Sequence, residues 1–262
     1  MVRPRTVLIV LGLAYCAVCI ALFLSQDSIV FHPSESDKRI TVPFEEYEIL
    51  LDDAKGISSR GYIVNRNATG PVVVFFTGNL GEARGYVRQF HVYGAAAVLT
   101  NYRGFGKSDG QPSEKVILED AKLLVDWTKS EFPDRPLVLM GNSLGCGVAI
   151  LTSDPSVEGL ILASPFRSLV HAGNETPSRI LPLRFLLRHK FDVRSQLNSL
   201  PRKILVLYSE HDYVIPPKET RKVLEQLPQA EVVIAEGPHE ELLWRFDTRE
   251  AIKHWLAAQF PD

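Results

Sequence analysis

Cysteine is scarce in this chain: three in 262 residues, two of which, Cys16 and Cys19, fall inside an apolar N-terminal run. Only Cys146 is left for the remainder, so a disulfide framework is excluded and cysteine says nothing about redox compartment. A surplus of positive charge is also missing. Lysine and arginine number 29 against 31 acidic residues, a formal net charge of -2. Proteins that neutralise nucleic-acid phosphates need a basic field, and nucleic acid is therefore not an expected partner. Histidines 32, 91, 171, 189, 211 and 254 have no paired metal spacing, so no metal and no cofactor is expected. Internal repeats and low-complexity tracts are absent. What remains is 45% hydrophobic and 23% charged, a composition that excludes disorder, collagen and coiled coil and suits one large or two small globular domains.

One long apolar run is present. Val7 to Leu24 are 18 residues without a charge, Tyr15 being the only strong polar handle, against the ~20 needed to cross a bilayer. Arg3 and Arg5 precede the run and Asp27 follows it, which directs the N-terminus to the cytoplasm and the rest to the periplasmic, lumenal or extracellular side. A cleaved signal peptide fits less well. Its apolar region is usually only about 7 to 15 residues, and Phe23-Leu24-Ser25 is no small-x-small cleavage site. The expected organisation is a signal-anchor over 1–25, a polar tether over 26–40, and a catalytic domain over 41–262.

From Thr41 onward, β-branched runs alternate with amphipathic stretches, the habit of a parallel sheet covered on both faces. Pro71–Phe76, Ala96–Leu99, Pro136–Met140, Val157–Ala163 and Lys203–Tyr208 are continuously apolar and predict central strands; Glu231–Ala235 predicts the last. Ser113–Phe132 has helical spacing, a serine cap and a following proline. Pro217–Leu227 and Asp247–Phe260 predict further helices. Pro43–Leu51 and Ile57–Asn65 alternate as an antiparallel edge hairpin.

Directly after the strand at 136–140 come Gly141-Asn142-Ser143-Leu144-Gly145, a G-x-S-x-G pattern leading into a helical stretch. A serine on such a turn takes a positive φ, and its glycines are needed where side chains would collide. Alone the pattern is weak; a glycine-rich helix entry would look the same. The strand-turn-helix context strengthens it, and so do an acid and a base in the required order. Asp212 follows the strand at 203–208, and His239 follows the strand at 231–235. All three fall at C-terminal strand ends, where open parallel sheets form their sites. His239 would take the Ser143 proton and Asp212 would fix the imidazole. An oxyanion hole would use the backbone N–H of Leu144 plus that of Asn79 or Leu80, in the loop Thr77–Gly81.

With these residues, and with Asn101-Tyr102-Arg103-Gly104-Phe105-Gly106-Lys107-Ser108-Asp109-Gly110, the chain resembles the α/β-hydrolase superfamily over about 40–262. Within it, the chain resembles the membrane-anchored, small-capped ABHD-type proteins and serine aminopeptidase-like and acyl-esterase sequences. The resemblance implies a mostly parallel sheet of about eight strands with helices on both faces. Two positions depart from the family habit: Thr77 stands where histidine is usual, and Glu240 follows His239 where aspartate is common. Gly106-Lys107-Ser108 looks like the end of a phosphate loop, but the glycine required five residues earlier is Asn101. Cys146 is expected to pack, not react.

Residues 166–200 read as a small cap insertion. Its Ile180, Leu181, Leu183, Phe185, Leu186 and Leu187 beside Arg184, Arg188, His189 and Lys190 suggest an apolar helix with a basic rim, which would receive an acyl chain and lean on anionic headgroups. A helix packed on the sheet with a solvated charged face would have the same pattern. The expected function is a membrane-anchored serine hydrolase of a carboxylic ester or thioester, acyl or lipid-like, acting through an acyl-serine and requiring no obligate protein partner. An aminopeptidase or amidase with the same triad, or a catalytically idle membrane interaction protein, are the alternatives.

Overall fold

A strand buried on both faces needs apolar side chains at consecutive positions, and the continuous runs become the centre of an eight-stranded sheet in the order β1-β2-β4-β3-β5-β6-β7-β8. The computed structural model describes residues 3–33, 48–52 and 56–261. The strands are β1 (Glu48–Asp52), β2 (Ser58–Val64), β3 (Val72–Phe76), β4 (Ala96–Thr100), β5 (Leu137–Asn142), β6 (Val157–Ala163), β7 (Lys203–Ser209) and β8 (Glu231–Ala235). β1 with β2 and β2 with β4 are antiparallel, an edge hairpin joined to the sheet; all other neighbours are parallel. The hairpin's expected start at 43–47 lies outside the described residues.

Along β3 the side chains alternate between two cores. Val72, Val74 and Phe76 join one core, with α3 (Glu114–Glu131), α4 (Leu144–Thr152) and α7 (Pro217–Leu224). Val73 and Phe75 join the other, with α2 (Ala83–Tyr93) and α8 (Phe246–Gln259). Fully burying a valine or phenylalanine contributes roughly 1.5–3 kcal/mol, which is why the strands without polar interruption occupy the middle. The Ser113 hydroxyl caps α3, accepting from the Val116 N–H at 3.3 Å, as its sequence signature predicts.

Two expectations need correction. The N-terminal helix α1 runs from Pro4 to Val30, past the end expected at residue 25, so the first part of the 26–40 segment is no free tether. Gln26 and Val30 are buried, as is Phe31, whose ring packs edge-on to His189 at 4.9 Å. Residues 34–40 lie outside the described residues. The cap is also not one apolar helix. It is α5 (Leu169–Asn174), a 3₁₀ turn Pro177–Ile180, the four-residue α6 (Leu183–Leu186) and a second 3₁₀ turn Leu197–Ser199. Pro177 and Pro182 cause the breaks. Each lacks an N–H and disfavours helix in the residue before it, and Thr176 and Leu181 are extended. Part of the expected basic rim pairs with α1: Arg188 Nη2 donates to both Asp27 oxygens at 2.9 and 3.0 Å, and His189 Nε2 lies 2.7 Å from Oδ1 of the same carboxylate.

Candidate active site

The turn between β5 and α4 puts Ser143 at φ 53°, ψ -116°, a conformation that non-glycine residues adopt at a cost. Its flanking glycines are sterically required. A Cβ on Gly141 would lie 2.3 Å from the Gly145 carbonyl oxygen, and one on Gly145 would lie 2.1 Å from the Phe76 carbonyl oxygen. The Ser143 N–H donates to the Ala163 carbonyl at 2.8 Å, tying the turn to β6.

The acid and base meet. His239 Nδ1 is 2.6 Å from Asp212 Oδ2, with the two side chains only 10% and 1% exposed. Asp212 is held from every side: Oδ1 accepts the N–H groups of Val214 and Ile215 at 2.9 and 2.8 Å, and Oδ2 also accepts the Ser164 hydroxyl at 2.8 Å. The two loops are tied together at their bases, the Ser209 hydroxyl donating to the Gly237 carbonyl at 2.5 Å. Tyr213 bonds Glu240 across the same gap. That contact gives the glutamate after His239 its own use. Ser143, for its part, shares the sheet edge with this pair but makes no hydrogen bond to His239 among the described residues.

Ser164 is the residue that sequence reasoning missed. It follows Ala163, the register partner of Asn142, and so sits one strand over from Ser143, between it and the Asp212 loop. Its φ of 57° turns the hydroxyl back into the site. A lone serine after a strand gives no sequence signal. The usable clue was its place at the switch from a buried strand into the cap.

The two expected oxyanion donors separate here. Leu144 is the first residue of α4, where an N–H has no intrahelical acceptor. Asn79 lines the same cavity as Ser143 and Leu144, whereas Leu80 is 64% exposed and is not part of that wall. The Thr77 substitution leaves the loop braced: its hydroxyl donates to Gly81 O at 3.1 Å, and its carbonyl accepts the Tyr102 hydroxyl at 2.8 Å. Arg103 pairs with Asp120 through two contacts of 2.7 and 2.6 Å, a structural use. Cys146 is buried, and its thiol is pushed up by that burial.

The cavity at Ser143 measures about 290 Å³. Its walls are mostly apolar and include Val214 and Ile215 beside Asp212, Leu183 and Leu186 of the cap, and Leu22 and Ile29 of α1. A second cavity of about 400 Å³, between Leu51 and Trp127, shares none of these residues.

The family model described as serine aminopeptidase, S33 matches residues 71–186. A lysophosphatidylserine lipase ABHD12 from Danio rerio is 27% identical over 203 residues, 68% of this chain and 53% of that protein. An uncharacterized protein of Mycobacterium tuberculosis is 25% identical over 97% of this chain and 95% of its own. The chain spans about half the length of the vertebrate lipases it matches. Among solved structures, a Pyrococcus furiosus esterase superposes with a TM-score of 0.68 at 18% identity, covering 88% of this chain and 97% of that one. Est1E of Butyrivibrio proteoclasticus with bound ferulic acid gives 0.65 at 18% identity, over 80% and 98%. Sheet order and solved structures agree on the α/β-hydrolase fold, and the chain is similar to proteins of the ABHD and serine aminopeptidase-like branch.

Proposed function

We propose that the protein is a membrane-anchored serine hydrolase that cleaves a carboxylic ester or thioester of an acyl or lipid-like substrate. The observation that carries this reading is the 2.6 Å contact between His239 Nδ1 and Asp212 Oδ2, at the sheet edge where Ser143 is held at positive φ. With Nδ1–H committed to the carboxylate, Nε2 is the nitrogen left to act as base. In the reaction, Ser143 Oγ attacks the acyl carbon while its proton passes to Nε2. The oxyanion forms against the N–H groups of Leu144 and Asn79. The leaving alcohol or thiol takes the proton from Nε2, and water activated by the same imidazole releases the acyl group from Ser143. Asp212 keeps the imidazole oriented and offsets its charge.

The lysophosphatidylserine lipase name of the vertebrate relatives and the esterase names of the structural relatives favour an ester. The apolar walls of the cavity favour an acyl chain. An amidase or aminopeptidase reading is supported by the description of the family model, and turnover of amino-acid amides in preference to esters would select it. Helix α1, long and apolar enough to cross a membrane, supplies the anchor. Arg3 and Arg5 before the helix favour an orientation with the catalytic domain opposite the cytoplasm.

The test is labelling by a fluorophosphonate together with hydrolysis of p-nitrophenyl acyl esters. Both are expected in the parent and absent in Ser143→Ala. Labelling that persists in that variant, or an unreactive parent, would defeat the reading.

A further inference from the structure

Helix α1 does not stand clear of the domain it is attached to. The Tyr15 hydroxyl donates to the Ile180 carbonyl at 2.9 Å. Further along, Gln26 Nε2 donates to the Leu186 carbonyl and Gln26 Oε1 accepts the Arg188 N–H, at 3.2 and 2.6 Å. Asp27 then takes Arg188 and His189. From Tyr15 to Asp27 is ~18 Å of helix at 1.5 Å per residue, and the cap lies alongside both ends of it. Only Pro4 to Ala14 remain beyond the cap, ~16 Å of helix, against a hydrocarbon core of ~30 Å. A helix that crosses the bilayer therefore brings the cap into the hydrocarbon with it.

The cap surface suits that placement. Ile180 is 73% and Phe185 is 82% exposed, large apolar side chains with nothing of the protein over them. The charged contacts of the cap with α1, at Asp27, Arg188 and His189, gather at the far end of the contact, where an interface belongs. Arg179 and Arg184 are both exposed, and long apolar stems let such a guanidinium extend toward headgroups. Behind this surface, Leu22 and Ile29 of α1 and Leu181 and Leu186 of the cap wall the cavity that Ser143 lines.

We propose that the cap segment 177–187 is immersed in the leaflet beside α1, and that the Ser143 cavity is loaded laterally from that leaflet by a lipid ester whose acyl chain runs between α1 and the cap. The loading step rests on the serine hydrolase reading; the immersion does not. In this arrangement α1 is part of the substrate site, and the chain reaches Ser143 without crossing water.

Two measurements on the full-length protein in phosphatidylcholine vesicles test this. In the first, Phe185→Trp is compared with the parent, whose tryptophans are Trp127, Trp244 and Trp255. The added emission should be quenched by lipids brominated on the acyl chain and shielded from aqueous iodide; the reverse pattern would overturn immersion. In the second, Phe185→Asp should lose about tenfold or more in turnover of a long-chain ester carried in the vesicle, while hydrolysis of a water-soluble short ester stays within about twofold of the parent. Equal losses on both substrates, or none on either, would overturn lateral loading. If no Ser143-dependent hydrolysis occurs at all, the hydrolase reading and the loading step fall together. The quenching experiment still decides whether the cap is immersed.

Discussion

Ser164→Ala isolates the one group that holds Asp212 on the side facing His239. The hydroxyl is fully buried and donates to Oδ2, the oxygen that also contacts His239 Nδ1. Removing it deletes a hydrogen bond to a carboxylate that is 1% exposed, so solvent cannot replace the donor, and such bonds contribute about 1.5–3 kcal/mol. Serine and alanine share the same Cβ, so the strain of positive φ at this position is common to both and drops out of the comparison. Oδ1 keeps the N–H groups of Val214 and Ile215. The carboxylate stays in place, and what loosens is its grip on the imidazole. If the whole effect falls on the transition state, kcat/KM drops by about 10- to 150-fold. If it falls on the folded ground state instead, Tm drops by roughly 3–12 °C. The assay is hydrolysis of a soluble p-nitrophenyl ester and the rate of fluorophosphonate labelling, with thermal unfolding measured on the same preparation. A variant whose rates stay within about twofold of the parent and whose Tm is unchanged would refute the claim that Ser164 positions the Asp212–His239 pair.

Two further outcomes follow from the same geometry. Gly145→Ala drives a methyl group to 2.1 Å from the Phe76 carbonyl oxygen and 2.7 Å from that of Thr77, both backbone atoms. The cost should exceed the ~3 kcal/mol upper range of ordinary overpacking and lower Tm by roughly 6 °C or more; a Tm matching the parent's in a melting curve would contradict it. His171, on α5 of the cap, binds its proton less readily in the folded protein, first because it is partly buried and then because Arg167 and Arg194 are close. The unfolded chain takes up that proton as pH falls through the ordinary histidine range near about 6.5, so the stabilisation is present above that range and lost below it. Melting curves across that range should show the parent losing Tm more steeply than His171→Gln, and parallel losses would count against this assignment.

The sheet was legible because burial on both faces leaves a continuous apolar run with no competing pattern. β3, β4, β5, β6 and β7 all begin and end within two residues of their expected bounds. The candidate triad was legible for a related reason: in a parallel sheet each strand delivers its following loop to one edge, so chain order alone predicts convergence. Helix α2 escaped notice. It is short, contains Gly85, and starts at Ala83 after Glu82, whose side chain makes no cap, so neither a start signal nor a long period announces it. The cap misled because residues 180–187 are apolar at helical spacing, while Pro182 sits in their middle. There the backbone restriction of proline overrides the period.

The least legible feature was the seating of α1. Gln26 and Asp27 are polar residues after an apolar run, which by local pattern are the start of a tether; their partners are about 160 positions away, and no local rule reaches them. Those partners form a connected set. His189 Nδ1 accepts the Glu114 N–H at 3.2 Å, which leaves Nε2 to face Asp27. The Glu114 carboxylate accepts the N–H groups of Lys190 and Phe191 at 2.6 and 3.0 Å. Phe191, at φ 43°, packs so closely on α4 that a Cβ on Gly147 would lie 3.1 Å from its own Cβ. A Cβ on Gly147 would therefore be crowded by the base of the cap, far less severely than one on Gly145 by β3. The helix that presents the Leu144 N–H is held on one side by the sheet and on the other by residues that also seat α1. By burial, the change from an exposed helix to one packed on the domain falls inside α1, at Gln26 and Val30.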